Sequence, residues 1–549
     1  MSKLSKAAAS FREEAILRRD ETVTNFMGGD SYKINPLDTL KMITASSIFG
    51  EPSYYRNSGT TSKADAMYVL SDYVTDSVLP DFYNRKTTVE IMESAIDSAL
   101  SYDYAGTLAW AAELRTVYHI RLNPQIIMVR AALHPNRPAF TAAHPGEFAR
   151  INSLVMSRAD EPMTQMAYYL YKNYGKKNNI PSILKRSWAD ELSSLNSYKI
   201  SKYKNHEIGM INAVRICHAT SREIDVLMTT GTLDIPDTEK TWENLRSAGK
   251  SWREILDSIN IGHMALLRNL RGIFTEIDDY SYCSKILKKL KDGVLNGKQL
   301  PFRYYNAYQV IMEDVYVNHK ALILDTLEEC MDISVHNLPL LPGKTMCLSD
   351  NSGSAWHTIP TEYGTIKIAE IDNLSSVITG VCSDEGYIGK FGDSISRYSA
   401  SKRNGILSQA KFISTNGYDD VGGATEGGIW KFFRDAIKNH EHFDNIFIYS
   451  DQQAGHAGLY GTAYDLSEYE DKYSYGRYVN VYKLILEYRK RVNPKVNVFS
   501  IQTAGYDNVV IPEYGYRTAI LYGWTGKEIL FADALIKQWN EIESREKNK

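Results

Sequence analysis

The chain has 549 residues, of which 43% are hydrophobic, 23% charged and 11% aromatic. That balance excludes a disordered or membrane-embedded chain, and the length predicts two or more globular domains. Sixty-three Lys and Arg against 66 Asp and Glu leave a formal charge of -3, so any nucleic-acid site must be a local patch rather than a property of the whole.

Residues 1–30 carry charges every few positions and lack the apolar core of a signal peptide. They read as an N-terminal segment whose order the sequence leaves open. No later stretch approaches the roughly 18 apolar residues of a spanning helix, so no membrane contact is expected. Five widely spaced cysteines, Cys217, Cys283, Cys330, Cys347 and Cys382, form no C-x-x-C pair. This speaks against a disulfide framework or a structural zinc and for a reducing, cytoplasmic setting.

From about residue 35 to 335 the apolar period is helical, as in Met92, Ala95, Ile96, Ala99 and Leu100. Asn35-Pro36 and Asn123-Pro124 each put a capping side chain before a Pro at the first helical position. Helix after helix with short loops predicts paired helices stacked as a solenoid, although no repeat recurs at a fixed period. Degenerate HEAT-like repeats and any large all-helical domain both fit. Within residues 171–220, nine Lys and Arg face three Asp and Glu, the most basic window of the chain. Such a window is either an ordinary solvated face or a phosphate-binding surface.

At Asn337-Leu338-Pro339-Leu340-Leu341-Pro342-Gly343 the texture changes, and a domain boundary is expected there, dividing 31–340 from 341–549. Beyond it the expected elements are a strand over 345–349, helices over 366–378 and 428–439, a strand over 446–449, a helix over 479–491 and a strand over 496–499. That order predicts a doubly wound, Rossmann-like α/β domain.

Asp350-Asn351-Ser352-Gly353-Ser354 follows the first of these strands, where ligand sites of open α/β sheets lie. A D-x-S-x-S pentapeptide fits a polar turn whose side chains bond their own backbone. It equally fits a set of hard oxygen ligands suited to Mg²⁺ or Mn²⁺. Thr425, in a glycine-rich loop before a helix, and Asp451, just past a strand end, lie at the same predicted sheet edge. These five residues match the metal-ion-dependent adhesion site of von Willebrand factor type A domains, which residues 341–549 resemble throughout. The resemblance implies that Asp350, Ser352, Ser354 and Thr425 surround a divalent cation, with Asp451 supporting it. It also implies an open coordination position for an acidic group of a protein partner. No nucleophile with an orienting base stands nearby, so the expectation is docking rather than catalysis. His357 and His456 read as solvated side chains near loops.

The helical half carries further matching words. Ala265-Leu266-Leu267-Arg268-Asn269-Leu270, Phe49-Gly50-Glu51-Pro52-Ser53-Tyr54-Tyr55, Lys202-Tyr203-Lys204 and Arg215-Ile216-Cys217-His218 resemble elements of the Ro autoantigen family, the TROVE module. Phe447-Ile448-Tyr449-Ser450-Asp451 and Glu487-Tyr488-Arg489-Lys490 continue the resemblance into the second half. It implies a ring of HEAT-like repeats closed by the type A domain, which binds Y-like small RNAs and single-stranded 3′ ends of misfolded noncoding RNAs. In bacteria such a ring can be tethered through its RNA to an exoribonuclease. On this reading Lys202, Lys204, Arg215 and His218 contact RNA; Lys185 and Arg186 are added on charge alone. No DNA is expected. His206, Cys217, Pro52 and Ser53 depart from the family's pattern and bear on RNA class and affinity more than on fold. The alternative is a metal-dependent protein-interaction scaffold without RNA as its main ligand.

Overall fold

In the computed structural model, the described residues are 22–24, 30–33, 35–45, 88–117, 120–173, 179–203, 208–233, 241–356, 358–361, 364–423, 426–451, 470–473, 476–479, 481–503, 508–509, 514–515, 517–522, 526 and 528–547. Two short strands, β1 (Thr22–Thr24) and β2 (Asp30–Lys33), precede the helices. Every regular element described between Pro36 and Asn337 is helical. The expected apolar stripe is the buried one: Met92, Ile96, Ala99 and Leu100 are fully enclosed. The helix at Asn35-Pro36 runs Pro36–Ala45 as expected. The next signal is displaced, because that helix starts at Leu122, with Asn123 and Pro124 inside its first turn and Asn123 buried rather than capping.

The helical half buries polar groups in pairs. Gln165 Nε2 donates to Gln125 Oε1 and to Asn152 Oδ1, both at 2.8 Å, and Gln165 Oε1 accepts from Trp188 Nε1 at 2.8 Å. One side chain thereby ties four helices together, with each buried amide satisfied. Glu161 is buried against the Arg115 guanidinium at 2.9 Å, and Asp160 meets Arg121 at 2.8 Å.

Helix gives way to strand after Asn337, and the strand is longer than its expected apolar run: β3 spans Leu341–Asp350. Two hairpins follow at the periphery, β4 (Thr358–Thr361) with β5 (Gly364–Lys367) and β9 (Glu470–Tyr473) with β10 (Gly476–Val479). The main sheet adds β6 (Ser383–Phe391), β7 (Ile395–Ser399), β8 (Asn445–Ser450), β11 (Asn497–Gln502), β13 (Tyr514–Gly515) and β14 (Thr518–Tyr522). A last short strand is β12 (Asn508–Val509). The sheet order is β13-β14-β11-β8-β3-β6-β7, parallel from β14 through β6 and antiparallel at both edges. The chain winds outward in both directions from the β3/β8 pair, which makes the carboxyl end of that pair the switch point of a doubly wound sheet.

Alternate residues of each strand bury on opposite faces, as a pleated sheet requires. Met346, Leu348, Ile446 and Ile448 pack with the helices Glu426–Lys438 and Val481–Arg491. Cys347, Phe447, Tyr449, Phe499 and Ile501 pack with Ile368–Val381, Ile406–Ser414 and Glu528–Lys547. Helices expected over 366–378 and 428–439 thus begin at Ile368 and Glu426. Val479 closes β10 instead of opening the following helix, which starts at Val481.

The two halves meet at both ends of the helical array. At its start, β2 pairs with β12 of the α/β domain, and the helix Pro36–Ala45 contacts β14. At its end, Ile406 N donates to Asp332 Oδ1 at 2.8 Å and Lys411 Nζ to Tyr308 Oη at 2.8 Å. The described path therefore closes on itself through the α/β domain. Segment 1–30, whose order was left open, contributes β1 and the start of β2 to this closure.

Candidate functional site

Asp350 ends β3, Asp451 follows the last residue of β8, and Thr503 follows the last residue of β11, so three neighbouring parallel strands deliver polar side chains to one edge. Asp350, Ser352 and Asp451 are fully buried there. Asp350 Oδ1 accepts from Ser352 N at 2.8 Å, the Asx-type turn expected of the pentapeptide. Asp350 Oδ2 accepts from Ser450 Oγ at 2.5 Å, and the Ser352 and Ser354 hydroxyls stand 3.2 Å apart. The turn and the convergence of hydroxyls coexist. Gly353 N donates to Gly423 O at 2.8 Å, which draws the glycine-rich loop before Thr425 against the same turn. Thr425 itself, with His357 and His456, lies outside the described residues.

Below the turn, Asn373 Oδ1 accepts from Ser349 Oγ at 2.7 Å and from Asn351 Nδ2 at 2.8 Å, and Asn373 Nδ2 donates back to Asn351 Oδ1 at 3.0 Å. This clamp fixes the residues on either side of Asp350 to the helix Ile368–Val381. The preceding residue of that helix, Asp372, is also fully buried and accepts from Thr503 Oγ1 at 3.4 Å.

The electrostatics are those of carboxyls buried close to one another. Burial pushes the Asp350 carboxyl up to about 7, the Asp451 charge adds to this, and hydrogen bonds from Ser352 and Ser450 oppose it. Burial holds Asp372 well above the carboxylate range, with the Asp350 and Asp451 charges acting in the same direction and the Thr503 hydrogen bond against it. Among the described residues no Lys or Arg pairs with either. Such a set of buried carboxylates and hydroxyls matches the donor chemistry of a hard divalent cation, which would neutralise it. No three acidic, His or Cys side chains among the described residues converge closely enough to be joint direct ligands, so hydroxyls and water would complete the shell.

Ser450, Asp372, Asn373 and Thr503 were not singled out from sequence. A signal existed for Asp372: it is the one ionisable residue in the otherwise apolar and small-residue run from Ile371 to Val381, and a carboxylate on a helix face that must be buried needs a reason.

In the helical half, Lys185 and Arg186 lie on the helix Ser182–Ser193, Arg215 on Met210–Cys217 and His218 at the latter's end. These two helices pack together, and Thr220 N donates to Ser193 Oγ at 3.0 Å. Arg186, Arg215 and His218 are exposed and Lys185 is half-buried. Its charge acts on the Cys217 thiol, which burial pushes up to about 11. None of the four has a carboxylate partner among the described residues. Lys202 differs, being paired to Glu243 at 3.5 Å and set over the Tyr198 and Tyr203 rings. Lys204, His206 and the segment Phe49–Tyr55 lie outside the described residues. In Ala265–Leu270 the leucines are core, Asn269 Nδ2 bonds its own helix at Ala265 O, and Arg268 is exposed. Tyr488 and Arg489 are buried braces: Tyr488 Oη donates to Glu441 O at 2.7 Å, and Arg489 spans to Val496 O and Arg517 O.

No helix among the described residues is long and apolar enough to cross a membrane. No family model and no curated protein sequence matches the chain. The crystal structure of the Ro (RSR) protein of Deinococcus radiodurans aligns with 80% of this chain and 93% of that chain, with a TM-score of 0.53 and 11% sequence identity. An array of helices closed at both ends by a doubly wound α/β domain, aligned over nearly the whole of that protein, is the Ro fold.

Proposed function

We propose that this protein is a non-catalytic RNA-binding protein of the Ro type, whose helical half holds small structured RNAs and single-stranded 3′ ends of misfolded noncoding RNAs. The observation that carries the reading is the set Lys185, Arg186, Arg215 and His218 on two packed helices, with no carboxylate among the described residues to satisfy it. Unpaired cations on a rigid surface gain most from phosphate, because each releases a condensed counterion from the RNA. Recognition of a free end needs shape and charge rather than a base code. Y-like RNA as a resident ligand, an exoribonuclease tethered through it, and a part in RNA quality control all belong to this proposal.

The cation site is its second element. Asp350, Ser352 and Ser354, with Thr425 and Asp451, would hold Mg²⁺ or Mn²⁺, which supplies an electrophilic point for an acidic group of a protein partner. Ser450 and the Asn351–Asn373 clamp orient the Asp350 turn whether or not that partner is bound. The buried carboxylates favour this reading over a plain turn, since a turn alone gives no return for burying like charges together.

Changing Lys185, Arg186 and Arg215 together to Ala tests the RNA surface. Affinity for a structured RNA should fall at least about tenfold, and the slope of log affinity against log salt should flatten by roughly two to three. An unchanged affinity and slope, with folding intact, would remove these residues from the interface.

A further inference from the structure

We infer that Asp372 is a working member of the cation site, a third carboxylate that accepts a hydrogen bond from cation-bound water and raises the site's affinity for a divalent ion. The inference rests on the cation reading above and deepens it.

Asp372 sits on the helix Ile368–Val381, which is buried along almost its whole length and in which it is the one buried ionisable residue. The side chain is fully buried, and only one of its oxygens is used: Oδ2 accepts from Thr503 Oγ1 at 3.4 Å, while Oδ1 has no hydrogen-bond partner. An unpaired carboxyl oxygen in a dry interior carries the desolvation penalty of a polar group without the hydrogen bond that would offset it. A fold keeps such a group where a ligand will satisfy it.

Its position is fixed from both sides. The adjacent Asn373 bonds Ser349 and Asn351, the two residues flanking Asp350, so this turn of helix is locked against the carboxyl end of β3. Thr503, which holds Oδ2, has its own N–H bonded to Ser450 O at 3.2 Å, and Ser450 in turn donates to Asp350. The path Asp372, Thr503, Ser450, Asp350 therefore runs around one small region, and the charges of Asp350 and Asp451 both act on Asp372. No basic side chain among the described residues shares it. Because no three carboxylates converge to direct ligating distance, Asp372 acts through a bound water. This is a common way for a carboxylate outside the ligand shell to orient and strengthen it.

The role differs from that of the five residues legible in sequence. They supply or support the shell from three loops, whereas Asp372 approaches from the helix beneath and adds a third negative charge.

The test is a calorimetric titration of Mn²⁺ into the EDTA-stripped full-length chain, comparing wild type with Asp372→Asn, Asp372→Ser and Asp350→Asn, alongside thermal unfolding without metal. Asp372→Asn keeps the shape and removes the charge. It should weaken Mn²⁺ binding about 10-fold or more, while the metal-free protein melts no lower than wild type, since the neutral amide fills the same space without an ionisable group to bury. Asp350→Asn should abolish binding. If wild type binds Mn²⁺ and both Asp372 variants bind it equally well, Asp372 has no part in the site and the cation reading survives alone. If wild type does not bind Mn²⁺, the cation reading falls and takes this inference with it. If neither Asp372 variant folds, the side chain is structural and the inference is overturned.

Discussion

In the helical half Glu161 is buried beside Arg115 at 2.9 Å and Glu93 receives Lys172 at 2.7 Å. At the carboxyl edge of the sheet, Asp350, Asp372 and Asp451 are buried with hydroxyls, amides and one another. Both regions take carboxylates out of water, yet among the described residues the first sets an opposite charge beside them, whereas neither Asp350 nor Asp372 meets a Lys or Arg. The difference separates two uses of a buried charge. A pair that closes within the fold fixes how helices stack. A set that repels itself is tolerated only for what it binds, which is why perturbed carboxylates in a crevice mark sites rather than cores. The surfaces contrast in the opposite sense, because the helical half leaves Arg186 and Arg215 exposed with no carboxylate partner among the described residues, where the α/β half ties the partly exposed Arg397 to Glu441 at 2.6 Å.

Substitutions sharpen this contrast, beginning where the effect is largest. Glu161→Ala strands the Arg115 guanidinium in the interior and should cost about 3–5 kcal/mol in chemical denaturation. The matching change at the sheet edge, Asp350→Asn, should leave the metal-free protein at least as stable as wild type. A large loss at both positions would mean that the two carboxylates play the same structural part. Next in size, saturating Mg²⁺ or Mn²⁺ should raise the melting temperature of wild type by several degrees, through preferential binding to the folded state. Asp350→Asn should show no such rise, and an equal rise in the variant would place the ion elsewhere. The smallest effect is expected at Lys202, whose charge is already shared with Glu243. Lys202→Ala should weaken RNA binding no more than about threefold, since a paired and screened charge has little left to give, whereas Arg215→Ala should exceed it. The reverse ranking would show that the pairing with Glu243 gives way to RNA.

Much of this was legible in the sequence, and what was not has identifiable causes. Helical periodicity found the Met92–Leu100 stripe because one face of a repeat helix is buried at a period near 3.6. The Pro-Gly break at 337–343 marked the change from helix to strand because no helix continues through it. The acids at strand ends were visible for the same reason, as each follows a short apolar run. The start of the helix at Leu122 was missed because its capping signal was read at Asn123, which is instead buried within the first turn. Strands β6, β7 and β14 were not anticipated: β7 lies at a sheet edge with a half-exposed pattern, and β6 carries Asp384 and Glu385 at its start. The pairing of β2 with β12 joins residues nearly the whole chain apart, and no local pattern encodes such a contact. Asp372 escaped because spacing rules connect residues along a strand or helix, while the helix beneath Asp350 meets it only through the fold. The four described basic residues that assemble on two helices were found as a charge excess, but their freedom from carboxylates is a property of packing.

The most direct test of the central claim is a binding titration of the full chain against a structured RNA with a single-stranded 3′ tail and against its blunt-ended counterpart, at several salt concentrations and in the presence of EDTA. The account predicts that the tailed RNA binds more tightly, that affinity falls steeply with salt, and that EDTA leaves it intact, because the RNA surface lies on the helical half. Binding of neither RNA at physiological salt, or binding that vanishes with EDTA, would contradict it and make the cation-dependent scaffold the better description.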